Sequence, residues 1–221
     1  MAIDTRHAIF YHSGGFPPAS VDVPRLLPDL LAATDALARY DQALRGMHNS
    51  EILLAPLRGQ EAVISSRMEG TVSTLDEILQ VEAEFGDDDA GAAAEYRSDV
   101  IETVLYRRAL TAAQQQLTHG YPLSESLLKG IHRQLLSFGR GARKSPGLYK
   151  REQNYVGAPG SGAASFVPIA PEHLAAGMET LLRLIADDSM PILLRTALAH
   201  AEFEARHPFE DGNGRVGCML I

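Results

Sequence analysis

The stretch that decides the reading of this chain is 191–215, PILLRTALAHAEFEARHPFEDGNGR. Its first half has the pattern of an amphipathic helix. Leu194, Ala197, Leu198, Ala201 and Ala205 recur on one face after Pro191. The second half cannot continue that helix. Pro208 steers His207 out of the α region, and two glycines then flank Asn213. A helix can restart beyond Gly214, so the segment reads as helix, sharp turn, helix. Backbone N–H groups of a Gly-rich turn at a helix start point outward and favour an anion, which marks Gly212, Asn213 and Gly214 as an anion nest. Arg215 adds a fixed charge and a planar donor fork suited to phosphate. Asp211 is a hard oxygen ligand of the kind that holds Mg²⁺ beside phosphates. His207, at the rim, titrates near neutrality and is the natural general base. Together these parts read as a site that transfers part of a nucleotide to a hydroxyl. It is not a P-loop, because no G-x-x-x-x-G-K-[ST] occurs, and no second His or Cys stands at zinc-site spacing from His207.

Outward from this segment, the chain is mostly helical. Leu174, Met178, Leu181, Leu182 and Ile185 form one stripe behind Pro171; Tyr96, Val100 and Val104 form another, and Leu128, Ile131 and Leu135 a third. Segments 26–45 and 51–69 also read as helices. Four stretches interrupt the pattern: 13–24 as an irregular arm, 86–91 as an acidic hinge able to cap the next helix, and 139–147 and 157–165 as loops. Strand signals are confined to Gln153–Val156 and Ser165–Val167, which flank the Gly-rich loop like the arms of a hairpin. The expectation is a mainly α protein with about seven or eight helices and one short hairpin.

Composition narrows the classes further. The chain has 221 residues, with 20 Lys+Arg against 28 Asp+Glu and a net charge of −8. Nucleic-acid binding relies on cations that neutralise phosphates, and an acidic chain without basic runs argues against it. Cys218 is the only cysteine, so no internal disulfide is possible. The N-terminus lacks the apolar run of a signal peptide, and no stretch of about 18 apolar residues is present to span a bilayer. These features predict a soluble, cytoplasmic protein.

Residues His207 to Arg215 match H-P-F-x-[DE]-G-N-[GK]-R at every defined position, and on that motif the chain resembles the Fic family. Ser65-Ser66-Arg67-Met68-Glu69-Gly70 is similar to the family's inhibitory motif, [ST]-x-x-x-E-[GN], and Thr71–Leu79 resembles the region that follows it. Gly147-Leu148-Tyr149-Lys150-Arg151 through Phe166-Val167-Pro168 is similar to the family's flap. The resemblance implies a Fic-type helical core with a short β-hairpin flap, over 90–221, preceded by an N-terminal arm and helical extension over 1–89. It implies a protein adenylyltransferase that moves AMP from ATP to a Ser, Thr or Tyr hydroxyl of a target protein. In that scheme His207 deprotonates the hydroxyl, Asp211 holds Mg²⁺, Gly212, Asn213 and Gly214 cradle the phosphates, and Arg215 neutralises them. Phe209 is a buried anchor. The flap, at Val156, Phe166 and Val167, pairs with an extended segment of the target. Ser65 and Glu69 share a helix face, Gly70 closes the helix, and Glu69 blocks placement of the ATP γ-phosphate, which makes the enzyme autoinhibited. Self-modification and a homodimer also follow from the resemblance. Alternatives on the same scaffold are transfer of another nucleotide or phosphate, removal of AMP, and a catalytically weak binding module.

Two departures stand out. Three residues past Arg215 the family has a second arginine, which contacts phosphate and pairs with the inhibitory glutamate; here that position is Cys218. The sequence also stops at Ile221, where relatives continue for further helices, which suggests a shortened core. His48, His119, His132, His173 and His200 lie outside the motif and read as surface or packing residues.

Overall fold

A computed structural model describes residues 3–85, 96–157, 160 and 162–221. The expected hinge at 86–91 lies outside the described residues. Eight α-helices are found among those described: α1 (Val23–Arg45), α2 (Glu51–Met68), α3 (Leu75–Phe85), α4 (Ser98–Thr118), α5 (Glu125–Leu135), α6 (Pro171–Ile185), α7 (Ile192–Arg206) and α8 (Asn213–Met219).

Local chemistry explains most of their ends. Asp22 accepts from the Arg25 amide at 3.1 Å to start α1, and Ser124 accepts from the Leu127 amide at 3.3 Å to start α5. Pro171 opens α6, where its missing N–H costs nothing. At the end of α2, Gly70 has φ +81°, the Gly70 amide reaches the Arg67 carbonyl at 3.0 Å, and the Thr71 amide reaches the Ser66 carbonyl at 3.0 Å. That reversal turns the chain back toward the core. Tyr96 lies ahead of α4 rather than within it, packed against the helix's apolar side.

Helix α4 is the axis of the molecule, buried from Val100 to Ala113. Val100, Ile101, Val104 and Leu105 pack with Val63, Ile78 and Val81 of α2 and α3. One turn on, Tyr106, Ala109, Leu110 and Ala113 enter a larger cluster with Leu128, Met178, Leu181, Phe203, Phe209 and Val216. The nucleotide-type motif is therefore anchored by the main core at Phe209 and Val216. By contrast, α1 has no buried residue, and its main helix contact is with α7.

The expected hairpin is only partly present. Val156 and Phe166 form a single antiparallel bridge, with both amide-to-carbonyl distances 3.0 Å. The regular pairing is instead parallel and non-local: β1 (Ile9–Phe10) against β2 (Phe166–Val167), in register Ile9↔Phe166 and Phe10↔Val167. A strand of two residues leaves no periodic pattern, so nothing local in the sequence could announce β1. Residues 139–147, expected as a loop, contain a 3₁₀ turn at Gly139–Arg143.

Candidate active site

The site is the turn between α7 and α8. His207 ends α7 in the left-handed conformation, φ 48° and ψ 61°, which is uncommon for a residue with a Cβ. Gly212, φ +74°, caps the start of α8 in the same region, where glycine carries no steric cost. Asn213 ties the loop across: the Phe209 amide donates to Asn213 Oδ1 at 2.8 Å, and Asn213 Nδ2 donates to the Phe209 carbonyl at 2.9 Å. Asn213 is buried, so its side chain closes the turn while the loop backbone faces the site.

Phe209 is fully buried and stacks on His132, with ring centroids 3.8 Å apart and planes within 6°. His132 takes the Gly147 amide on Nδ1 at 2.8 Å, so Nε2 carries the proton and donates to the Asp211 carbonyl at 2.9 Å. Burial pushes this imidazole down to about 4, so it is neutral near pH 7. The sequence alone reads His132 as a surface or packing residue. Its place next to the Leu128, Ile131, Leu135 stripe is the only signal it offered.

His207 is also held below its ordinary value, chiefly by burial and then by the nearby Lys150 ammonium. Its imidazole is therefore unprotonated near neutral pH and able to accept a proton. Asp211 Oδ1 accepts from the Gly212 amide at 2.6 Å, which leaves one carboxylate oxygen for a ligand. Among the described residues no group of three or more His, Cys, Asp or Glu side chains could hold a metal ion. A single carboxylate with a free oxygen fits Mg²⁺, which keeps its waters and relies on substrate phosphates for other ligands.

The expected phosphate-facing arginine is oriented inward. Arg215 is buried, with Nη1 3.6 Å from Glu102 Oε2, and its Nε and Nη1 have no hydrogen-bond partner. Glu102, on α4, also accepts from Ser98 Oγ at 3.2 Å and from the Arg140 amide at 3.3 Å. Sequence reasoning missed this residue because an acid on a helix face looks like any solvated charge.

Glu69 reaches the site from α2. A Cβ built on Gly214 would overlap Glu69 Oε1, so the carboxylate lies directly over the anion nest. Ser65 does not turn toward Glu69; it donates to Glu61 Oε1, which also accepts from Tyr106 Oη at 3.1 Å. Cys218 is half-buried beside Ser65, and burial first, then the carboxylates of Glu61, Glu204 and Glu69, raise its thiol above the ordinary value. In the flap, the backbones of Val156, Phe166 and Val167 already bond within the chain, to each other and to β1. Among the described residues the backbones of Tyr155 and Gly157 have no hydrogen-bond partner, so that side of the flap is its open edge.

An α-helical fold with a left-handed histidine, an acid-Gly-Asn-Gly-Arg turn and a glutamate over the nest defines a Fic-type site. The comparisons agree with that class. A profile of the Fic/DOC family N-terminal region matches residues 27–115, and that of the Fic/DOC family matches 122–221. The chain belongs to the Fic/DOC family. It is 32% identical over 94 residues to the protein adenylyltransferase fic-1 of Caenorhabditis briggsae, and 30% to that of Caenorhabditis elegans. Each match covers 41% of this chain and 17% of the relative, so the chain spans a small part of both proteins. Among solved structures, a Fic-domain signaling protein of Bacteroides thetaiotaomicron superposes with TM-score 0.65 at 25% identity, over 84% of this chain and 69% of that one. Residues 134–508 of C. elegans Fic-1 superpose with TM-score 0.62 at 20% identity, over 89% of this chain and 58% of that one. The fold is mainly α, as expected. No helix among the described residues is long and apolar enough to cross a membrane.

Proposed function

We propose that this chain is an autoinhibited protein adenylyltransferase. The observation that carries the reading is the neutral His207 at the rim of the Asp211–Arg215 turn, with the Glu69 carboxylate over Gly214. A target hydroxyl oxygen attacks the α-phosphorus of ATP, and its proton passes to the His207 imidazole. The bond between the α-phosphorus and the bridging oxygen breaks, and pyrophosphate leaves with that electron pair. The amides of Gly212, Asn213 and Gly214 orient the phosphates, and Arg215, once drawn away from Glu102, balances their charge. Mg²⁺ on the free Asp211 oxygen would add charge neutralisation at the phosphates. The target's extended segment adds at the open Tyr155 edge, which presents its hydroxyl to His207. Glu69 holds the resting protein back, because a carboxylate over the nest repels an incoming phosphate.

The test is incubation with Mg²⁺, cell lysate and ATP labelled at either the α- or the γ-phosphorus. Protein labelled only by α-labelled ATP supports adenylyl transfer, and labelling of this chain itself identifies self-modification. Label from the γ-position alone would make it a kinase. Absence of label with both the wild-type chain and Glu69→Gly would leave a binding module.

A further inference from the structure

The segment that leads into the flap has its own engagement with the catalytic turn. Lys150 is buried, and no carboxylate pairs with it among the described residues. Its Nζ donates instead to the Arg206 carbonyl at 3.1 Å and to Asn154 Oδ1 at 2.6 Å, while its amide donates to the Pro208 carbonyl at 2.9 Å. Asn154 Nδ2 in turn donates to the His207 carbonyl at 2.9 Å and to the Phe209 carbonyl at 3.0 Å. Four consecutive carbonyls, Arg206 to Phe209, are thus all taken up by Lys150 and Asn154. The first belongs to the last residue of α7, where carbonyls lack helical partners and partial negative charge accumulates. The Lys150 ammonium thus rests on one helix-end carbonyl and one side-chain amide oxygen, and burial holds it down to about 8.

We propose that Lys150 and Asn154 are positioning residues that hold His207 in its left-handed conformation and so aim its imidazole at the target hydroxyl. The aiming rests on the proposed adenylyl transfer; the clamp on the backbone does not. A left-handed residue with a Cβ persists only where its surroundings over-determine it, and among the described residues no other donor takes up the His207 carbonyl. The arrangement also ties target docking to catalysis, because the open edge at Tyr155 follows Asn154 directly.

The experiment uses Asn154→Asp, which keeps the shape but replaces both donors by acceptors, together with Lys150→Arg, which retains charge and donors. Amide hydrogen exchange of the nucleotide-free protein is measured by mass spectrometry, and initial rates are measured by self-labelling from α-labelled ATP. For Asn154→Asp, exchange across 207–213 is expected to rise about tenfold, with α5 and α6 unchanged. The transfer rate is expected to fall roughly 10²-fold, the scale of a misplaced catalytic group, with the KM for ATP unchanged. Lys150→Arg is expected to retain most of the wild-type rate and protection. Unchanged exchange across 207–213 in Asn154→Asp overturns the proposal, as does a rate loss carried wholly by KM. If Asn154→Asp does not fold, Lys150→Met takes its place with the same expectations. A wild-type chain that transfers no AMP overturns the proposed function, and the exchange result alone then decides the clamp.

Discussion

The two flanks of Asp211 are built on opposite principles. On the side of Arg206–Phe209, every carbonyl has a donor, His207 and His132 are neutral, and Phe209 is packed among aromatic rings. On the side of Gly214–Cys218, charges are less completely matched. Arg215 lies 3.6 Å from Glu102 yet has two buried nitrogens without hydrogen bonds among the described residues, and Glu61, Glu69 and Glu204 bear on the Cys218 thiol. Neutral dipoles can be satisfied within one chain, so the first flank is finished on folding. Unbalanced charges change their arrangement when an anion or a cation arrives, so on the proposed function the second flank is where ligand and regulation act.

The largest test of this contrast is His207→Ala. Loss of a general base costs about 10²–10⁴-fold in rate, so AMP transfer is expected to fall by that factor while ATP affinity, by isothermal titration, stays within about twofold. Retention of full activity would remove His207 from the chemistry. Asp211→Ala acts on the boundary between the flanks. Its transfer rate is expected to fall roughly 10²-fold, consistent with several kcal/mol of metal assistance, and its nucleotide affinity to become insensitive to Mg²⁺ titration.

His132 tests whether the finished flank is neutral by design of its packing. The folded imidazole titrates near 4 and an unfolded one near 6.5. Between those values the unfolded chain binds a proton that the folded chain refuses, so this stability is complete above about pH 6.5 and is lost as pH falls toward 4. The loss amounts to about 3 kcal/mol over that window. His132→Leu is expected to lower stability at pH 7, through the unpaired Asp211 carbonyl and Gly147 amide, and to flatten the acid slope in urea titrations. An unchanged slope would place the acid sensitivity elsewhere.

The smallest expected effect sharpens the unfinished flank. Cys218→Arg places a cation among Glu61, Glu69 and Glu204, and a charge-assisted hydrogen bond contributes roughly 1.5–3 kcal/mol. ATP binding is expected to tighten about tenfold in Cys218→Arg once Glu69→Gly is also present. Glu69→Gly alone is expected to activate less in the wild-type chain than in the Cys218→Arg background. A double-mutant cycle reads that coupling; strictly additive values would show that Glu69 acts through occlusion of Gly214 alone.

The legibility of each flank in the sequence follows from how its residues are spaced. The helices were legible because a buried face repeats every three or four residues, as in Leu174, Met178, Leu181 and Leu182. His207, Asp211, Gly212 and Asn213 were legible because their chemistry needs adjacency in the chain. The residues that complete the site come from elsewhere: His132 on α5, Glu102 on α4, and Lys150 and Asn154 within the flap segment. His132, Glu102 and Asn154 have no local pattern that distinguishes them from a packing or solvated side chain, and the flap match that contains Lys150 says nothing of its contact with Arg206.

By itself, the sequence determined the helical class, the turn at 207–215 and the cluster of acid, base and anion-binding groups, because each is a property of neighbouring residues. Only the tertiary structure decided that β1 pairs with β2, that Arg215 turns to Glu102, and that Glu69 lies over Gly214. These are contacts between segments far apart in the chain. Their geometry depends on how α2, α4 and α8 pack, and the orientation of a charged side chain is settled by whichever partner that packing brings nearest.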